Sequence, residues 1–138
     1  MSTTEPTTFQ LRRFREANQD TPINMVNLLK FRDQAEYGSG VAENRERLTG
    51  REAYQRYATV ALNKIRENGG SVDFLAPSEQ CFVGCDEDEW DQVVIVRYPS
   101  RKAYLAGFNS DEYQEAIRHR IAGLEKRLLL QCTSNNAG

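Results

Sequence analysis

Two segments of this chain are apolar on both sides. Ile23–Phe31 reads Ile-Asn-Met-Val-Asn-Leu-Leu-Lys-Phe, so a period of two sets Ile23, Met25, Asn27, Leu29 and Phe31 on one face and Val26 and Leu28 on the other. Gln92–Tyr98 repeats the pattern, with Val93, Ile95 and Arg97 alternating against Val94, Val96 and Tyr98. A strand of this kind has to be covered twice. A chain of 138 residues has room for one domain, and hence for one layer of helices over a small sheet. The second cover has to come from elsewhere.

The intervening sequence supplies the helices. Thr49 with Glu52 forms a capping-box signature, Tyr54, Tyr57, Ala58, Ala61, Leu62 and Ile65 recur at helical spacing, and Asn68-Gly69-Gly70 provides a left-handed stop. Ser71–Cys85 reads as a strand interrupted near Pro77, joined through the acidic stretch 86–91 to the second doubly apolar strand. Pro99-Ser100 opens a short helix, and Asn109-Ser110 caps another whose stripe runs through Tyr113, Ala116, Ile117, Ile121 and Leu124. Arg127–Cys132 is the last strand. The order strand, helix, strand, strand, helix, strand predicts an α+β fold, a ferredoxin-like βαββαβ unit with a four-stranded antiparallel sheet. Its helices leave one sheet face bare, and a second copy of the chain is the economical cover, giving a dimeric α/β barrel, as a homodimer or a higher assembly of dimers. The domain spans 23–132, preceded by an N-terminal appendage (1–22, a short helix or coil) and followed by a flexible tail (133–138). Arg32–Thr49 is long for a structureless connection and is expected to act as a lid.

Charge narrows the function. With 18 basic and 20 acidic residues the net charge is −2, which gives no basic field for a nucleic acid. No apolar run approaches the ~20 residues that cross a bilayer, and Met1–Thr8 lacks the basic and apolar regions of a signal peptide, so a soluble cytoplasmic protein with no membrane partner is expected. Cys81, Cys85 and Cys132 are odd in number and read as reduced thiols. The glycine pairs form neither a phosphate loop nor a dinucleotide fingerprint.

The candidate site residues are polar or aromatic groups on otherwise apolar faces. Asn27 sits between Met25 and Leu29, where a primary amide needs partners: it either orients a ligand carbonyl or satisfies a neighbouring strand. Lys30 and Arg32 stand at the end of the first strand and could receive a carboxylate or enolate. Arg97 interrupts an apolar face, and Arg120 shares the inward side of the last helix with Tyr113, Ala116 and Ile117. An inward arginine cannot lose its charge and needs an anion, either a ligand or a structural partner such as Asp73, Asp91 or the facing subunit. Asn27, Arg97 and Arg120 are thus the catalytic candidates. Tyr54, Tyr57, Trp90 and Tyr98 supply aromatic walls with polar tips. His119 shares a helix face with Glu112 and Glu115 and is expected to be solvated or paired with them. No metal site is expected, since a Cys81, Cys85, His119 set lacks zinc-site spacing.

Asn27-Leu-Leu-Lys-Phe-Arg32, Gly50-Arg-Glu-Ala-Tyr-Gln-Arg-Tyr57, Val96-Arg-Tyr-Pro-Ser-Arg101 and Asn109-Ser-Asp-Glu-Tyr-Gln114 resemble the domain of unknown function 1330 family in order and spacing, over about residues 23–132. The resemblance implies a dimeric ferredoxin-like barrel and brings no established activity. Related barrels include cofactor-free monooxygenases, lactone isomerases, haem-degrading oxygenases and haem-binding peroxidase-like proteins. The expectation is a binder of, or cofactor-free monooxygenase- or isomerase-like enzyme for, a small acidic or aromatic metabolite, with haem as the alternative ligand. The competing expectation is a non-catalytic or stress-related dimeric module whose arginines form structural ion pairs.

Overall fold

The computed structural model describes residues 4–134. Its strands are β1 (Ile23–Phe31), β2 (Ser71–Pro77), β3 (Gln92–Tyr98) and β4 (Leu124–Cys132), and its helices α1 (Thr8–Glu16), α2 (Gly50–Glu67), α3 (Arg101–Ala106) and α4 (Asp111–Gly123). The strands form one antiparallel sheet in the order β2-β3-β1-β4. With α2 joining β1 to β2 and α4 joining β3 to β4, the fold is the expected α+β, ferredoxin-like βαββαβ.

Register sorts the side chains into two faces, because residues directly opposite in an antiparallel pair point the same way. Asn27 lies opposite Val94 and Leu129, and these three take the side covered by α2 and α4. Val26 lies opposite Ile95 and Leu130, and Leu28 opposite Val93 and Leu128, on the side that no helix covers. Phe74 of β2 joins that open side opposite Ile95. It is half exposed, as is Leu130.

Local chemistry explains where the helices start. Thr49 Oγ1 accepts from the Glu52 backbone N–H at 3.0 Å while the Thr49 N–H donates to Glu52 Oε1 at 2.8 Å, closing the capping box of α2. Gly69, at φ +80°, turns the chain out of α2. Ser110 Oγ accepts from the Tyr113 N–H at 3.0 Å and starts α4. At the far end the first residue of α2 meets the last of α4. The Gly50 N–H donates to Arg32 O at 3.1 Å and the Arg32 N–H to Gly123 O at 2.8 Å. A Cβ on Gly50 would lie 2.2 Å from Arg32 O and 2.5 Å from Gly123 O, so only glycine permits this approach.

Several expectations are corrected. The chain passes from α4 into β4 at Leu124, three residues earlier than the apolar stripe suggested, and Leu124 is buried with Leu29 and Phe31 as a strand residue. Ile121, expected on the inward stripe, is half exposed. β2 stops at Pro77, so Cys81 and Cys85 lie in the following loop, where they form a disulfide with a Cα–Cα distance of 5.8 Å. They are not reduced thiols; Cys132 is free and exposed. Of the segment assigned as a tail, residues 135–138 lie outside the described residues. Among the described residues no helix is long and apolar enough to cross a membrane.

Arg32–Thr49 is no lid over the helix-covered face. Ala35 is buried against Ala53 and Ala122, and a 3-10 turn at Ala42–Glu46 is tied down by ion pairs of Glu43 with Arg118 and of Glu46 with Arg56. Its Tyr37 hydroxyl is 2.6 Å from His119 Nδ1 with the rings edge to face, so the half-buried His119 is hydrogen-bonded to Tyr37 and not paired with Glu112 or Glu115. Burial first, then the neighbouring Arg118 and Arg56 cations, lower the pKa of His119, and Glu43 and Glu115 oppose them more weakly.

Two outcomes follow from these contacts. Gly50→Ala is expected to destabilise the fold by about 3 kcal/mol through overpacking against main-chain oxygens, read as a lower urea midpoint; an unchanged midpoint would contradict the close approach. His119 has a folded pKa below its unfolded value of about 6.5, so its contribution to stability is complete above that pH and declines as pH falls through it. The urea midpoint is therefore expected to drop between about pH 7.5 and about pH 5.5, and His119→Gln to drop less. Identical losses in both proteins would place His119 in solvent.

Candidate functional site

Between the sheet and its helices lies a cavity of about 190 Å³. Its floor is the covered face of the sheet: Met25 and Asn27 from β1, Val94, Val96 and Tyr98 from β3, and Arg127 and Leu129 from β4. Tyr54, Tyr57, Ala61 and Ile65 of α2, Tyr104 of α3 and Tyr113 of α4 form the roof, and the half-exposed Val72 and Leu75 of β2 stand at one side. Five of the six tyrosines of the chain meet here.

The rings pack edge to face or tilted in a chain: Tyr54 with Tyr57 at 5.4 Å, Tyr57 with Tyr113 at 5.9 Å, and Tyr98 with Tyr104 at 5.1 Å between centroids. Their hydroxyls fall into two groups. Those of Tyr57 and Tyr113 are 3.0 Å apart, and both accept from Arg120 Nη1, at 3.2 and 3.4 Å. Those of Tyr54, Tyr98 and Tyr104 make no hydrogen bond within the described chain. Burial pushes Tyr104 up to about 12 and raises Tyr54, Tyr98 and Tyr113 as well, so the four phenols are neutral and keep their protons near neutral pH. Asn27 Nδ2 donates to Met25 O and Val94 O, both at 3.3 Å, which satisfies the amide from β1 and β3 while it faces the cavity.

Arg120 is 5% exposed, and its counter-ion is Glu5, whose Oε1 and Oε2 accept from Nη2 at 2.7 and 2.9 Å. The guanidinium also stacks over the Tyr57 ring at 5.0 Å. Burial works against its charge, and the Tyr57 and Tyr113 oxygens and Glu5 together outweigh burial and hold its pKa above the ordinary arginine value. Arg127, on the cavity wall, has Nη2 at 3.8 Å from Glu5 Oε2 and also donates to the Thr4 carbonyl. Asp73 and Asp91 are not the partners of Arg120. Asp73 accepts from Ser71 Oγ, while Asp91 accepts from the Phe31 N–H at 2.9 Å and pairs with Lys30.

Of the residues singled out from sequence, Asn27, Tyr54, Tyr57 and Tyr98 come together on the cavity, with Arg120 behind two of its hydroxyls. The others do not. Arg97 is exposed on the open face, opposite Asn24 and Ser71, because β3 alternates and its even-numbered residues face the helices. Lys30 also points to the open side, where its Nζ donates to Asp88 O at 2.7 Å. Arg32 pairs with Glu36 at 3.1 Å. Trp90 lies at the open side under Lys126, whose Nζ is 4.6 Å from the ring centroid. Tyr104, Tyr113, Arg127 and Glu5 were not foreseen as site residues. Alternation along β4 places Arg127 with Leu129 and was available as a signal, whereas nothing near Glu5 in the sequence announces its role. Among the described residues no group of three or more His, Cys, Asp or Glu could hold a metal ion.

The whole chain is similar to the RPA0582 protein of Rhodopseudomonas palustris: 29% identity and a TM-score of 0.86 over 97% of this chain and 98% of that one. A structure of the methylated RPA0582 protein gives 30% identity and a TM-score of 0.88 over 99% and 98%. The hydroxynitrile lyase of Passiflora edulis, at 12% identity and a TM-score of 0.51 over 85% of this chain and 96% of that one, is similar in fold alone. No curated protein matches the chain. Residues 41–131, about two thirds of the sequence, match a family model from the second half of the Arg32–Thr49 segment to the end of β4, and the chain belongs to that family, described as Domain of unknown function (DUF1330).

Proposed function

We propose that the protein binds a small aromatic or acidic organic molecule in the tyrosine-lined cavity, and that two copies pair through the open sheet faces. The observation that carries the first part is the set of neutral phenols at Tyr54, Tyr98 and Tyr104, which have no hydrogen-bond partner within the described chain and surround a space beside Asn27 and Arg127. An apolar wall with a few convergent polar groups is the usual makeup of a ligand site. As an enzyme it would carry out cofactor-free proton transfer or oxygenation, with phenol hydroxyls donating to an enolate-like oxygen and the Arg127 guanidinium balancing its charge. Arg120 takes a supporting part in this reading, since Glu5, Tyr57 and Tyr113 already occupy it.

Pairing rests on the open face. Val26, Leu28, Phe74, Val93, Ile95, Leu128 and Leu130 form one apolar surface, with Arg97 and Lys30 at its margins. A contiguous apolar surface on a small domain marks an interface. A second reading, a non-catalytic module with structural arginine pairs, is favoured by the Arg120–Glu5 contact; recovery of an intact ligand after incubation would support it and an altered product would exclude it.

Native mass spectrometry is expected to give a dimer carrying an organic adduct. Tyr98→Ala, which removes a cavity wall, is expected to weaken binding of that adduct about ten-fold or more while leaving the dimer intact. Ile95→Glu should yield monomers, because it buries a charge in the centre of the apolar face. A bare native protein whose ligand screen stays empty would remove the cavity reading, and an unchanged mass for Ile95→Glu would remove the pairing.

A further inference from the structure

We infer that Glu5 occupies the place of a ligand carboxylate: the ligand is a single-ring aromatic acid, and its acid group displaces Glu5 from Arg120 and Arg127. The inference rests on the cavity reading above and names the class of molecule that the cavity takes.

The cations and their counter-ion are unequally buried. The side chains of Arg120 and Arg127 are 5% and 10% exposed, whereas that of Glu5 is 45% exposed. Two nearly dry guanidinium groups cannot shed their charge and require an anion at all times. The chain supplies it from a segment at the surface: residues 5–10 are exposed throughout, and α1 buries no residue. Arg120 also retains an unmet valence, because its Nε–H is buried with no acceptor. Glu5 therefore satisfies the charge of the site and leaves one donor over.

One of these cations reaches the cavity and the other stands behind its wall. Arg127 lines it directly, and Arg120 Nη1 donates to the Tyr57 and Tyr113 hydroxyls that line it from the other side. An acid whose ring lies among Tyr54, Tyr98 and Tyr104 would bring its carboxylate to this end. It would take over the charge-assisted hydrogen bonds of Glu5, which would move out to water from a position already half hydrated. At about 190 Å³ the space is below the ~300 to 1,000 Å³ of sites for drug-sized ligands and suits one substituted ring. No covalent step is involved; one carboxylate replaces another. The apparent affinity of the native protein is then its intrinsic affinity multiplied by the fraction of molecules in which Glu5 has left.

The test compares benzoate with neutral benzyl alcohol on the full chain and on Glu5→Gln, by calorimetry. Removing a tethered competitor present at millimolar effective concentration is expected to tighten benzoate binding about ten-fold or more while leaving benzyl alcohol unchanged. In the native protein, benzoate and not benzyl alcohol should shift the backbone amide resonances of Thr4, Glu5, Thr7 and Thr8, a readout that does not depend on the variant folding. If benzyl alcohol binds but Glu5→Gln brings no gain for benzoate and the amides stay still, Glu5 is a structural ion pair and the inference is wrong while the cavity reading stands. If neither compound binds either protein, both fall together.

Discussion

The distance between two glycine backbones sets the geometry of this fold. Gly50 opens α2 and Gly123 closes α4, and a Cβ on either would run into the carbonyl of the other at about 2.5 Å. Contact this close fixes where α2 and α4 meet, and tyrosines line the space between these helices and the sheet. It also captures the main chain of Arg32, which donates to Gly123 and accepts from Gly50, so the segment after β1 is bound to both helices before it reaches its own 3-10 turn. That arrangement explains why the segment packs against the helix ends and leaves the cavity alone.

Away from that contact the interior relies on polar aromatics more than on aliphatic mass. Ile23, Leu29 and Leu124 are the largest side chains wholly removed from water, and the buried residues fall into separate small clusters. The gap between α2, α4 and the sheet is bridged by Tyr57, Tyr113 and Arg120, which hydrogen-bond to one another. Buried polar groups that satisfy each other specify one arrangement, whereas an aliphatic filling would tolerate several. A guanidinium in such a network imposes a further demand, a permanent anion, and that demand draws the N-terminal segment across the molecule.

The elements most legible in the sequence were those with local causes. Thr49 and Glu52 announced the start of α2, Gly69 its end, and the two-sided apolarity of β1 and β3 indicated a sheet with one bare face. Asn27 could be placed because alternation determines the face of a strand residue once its neighbours are known. The same rule put Arg97 on the side of Val93 and Ile95, and only the position of the helices shows that this side is the open one. The partners of Arg120 and His119 were not legible. Glu5 and Tyr37 are separated from them by 115 and 82 residues, and such meetings follow from tertiary geometry without a local pattern. The disulfide is illegible for a related reason: a strand continued past Pro77 to Cys85 holds Cys81 and Cys85 too far apart in an extended chain, and only the end of β2 at Pro77 lets them meet.

The irregularity in β2 couples the two surfaces of the sheet. Val72 pairs with Val96 and Phe74 with Ile95, so Asp73 is an extra residue that shifts the phase of everything after it. Because of that one residue Leu75 enters the cavity wall and Phe74 joins the outer apolar face. A regular ladder that paired Asp73 would exchange the two assignments, sending Leu75 outward and Phe74 inward, whereas deleting Asp73 would remove the bulge and keep them. Drawing the bulge into the ladder would alter ligand and partner surfaces in a single event, which ties the divergence of the one to the divergence of the other.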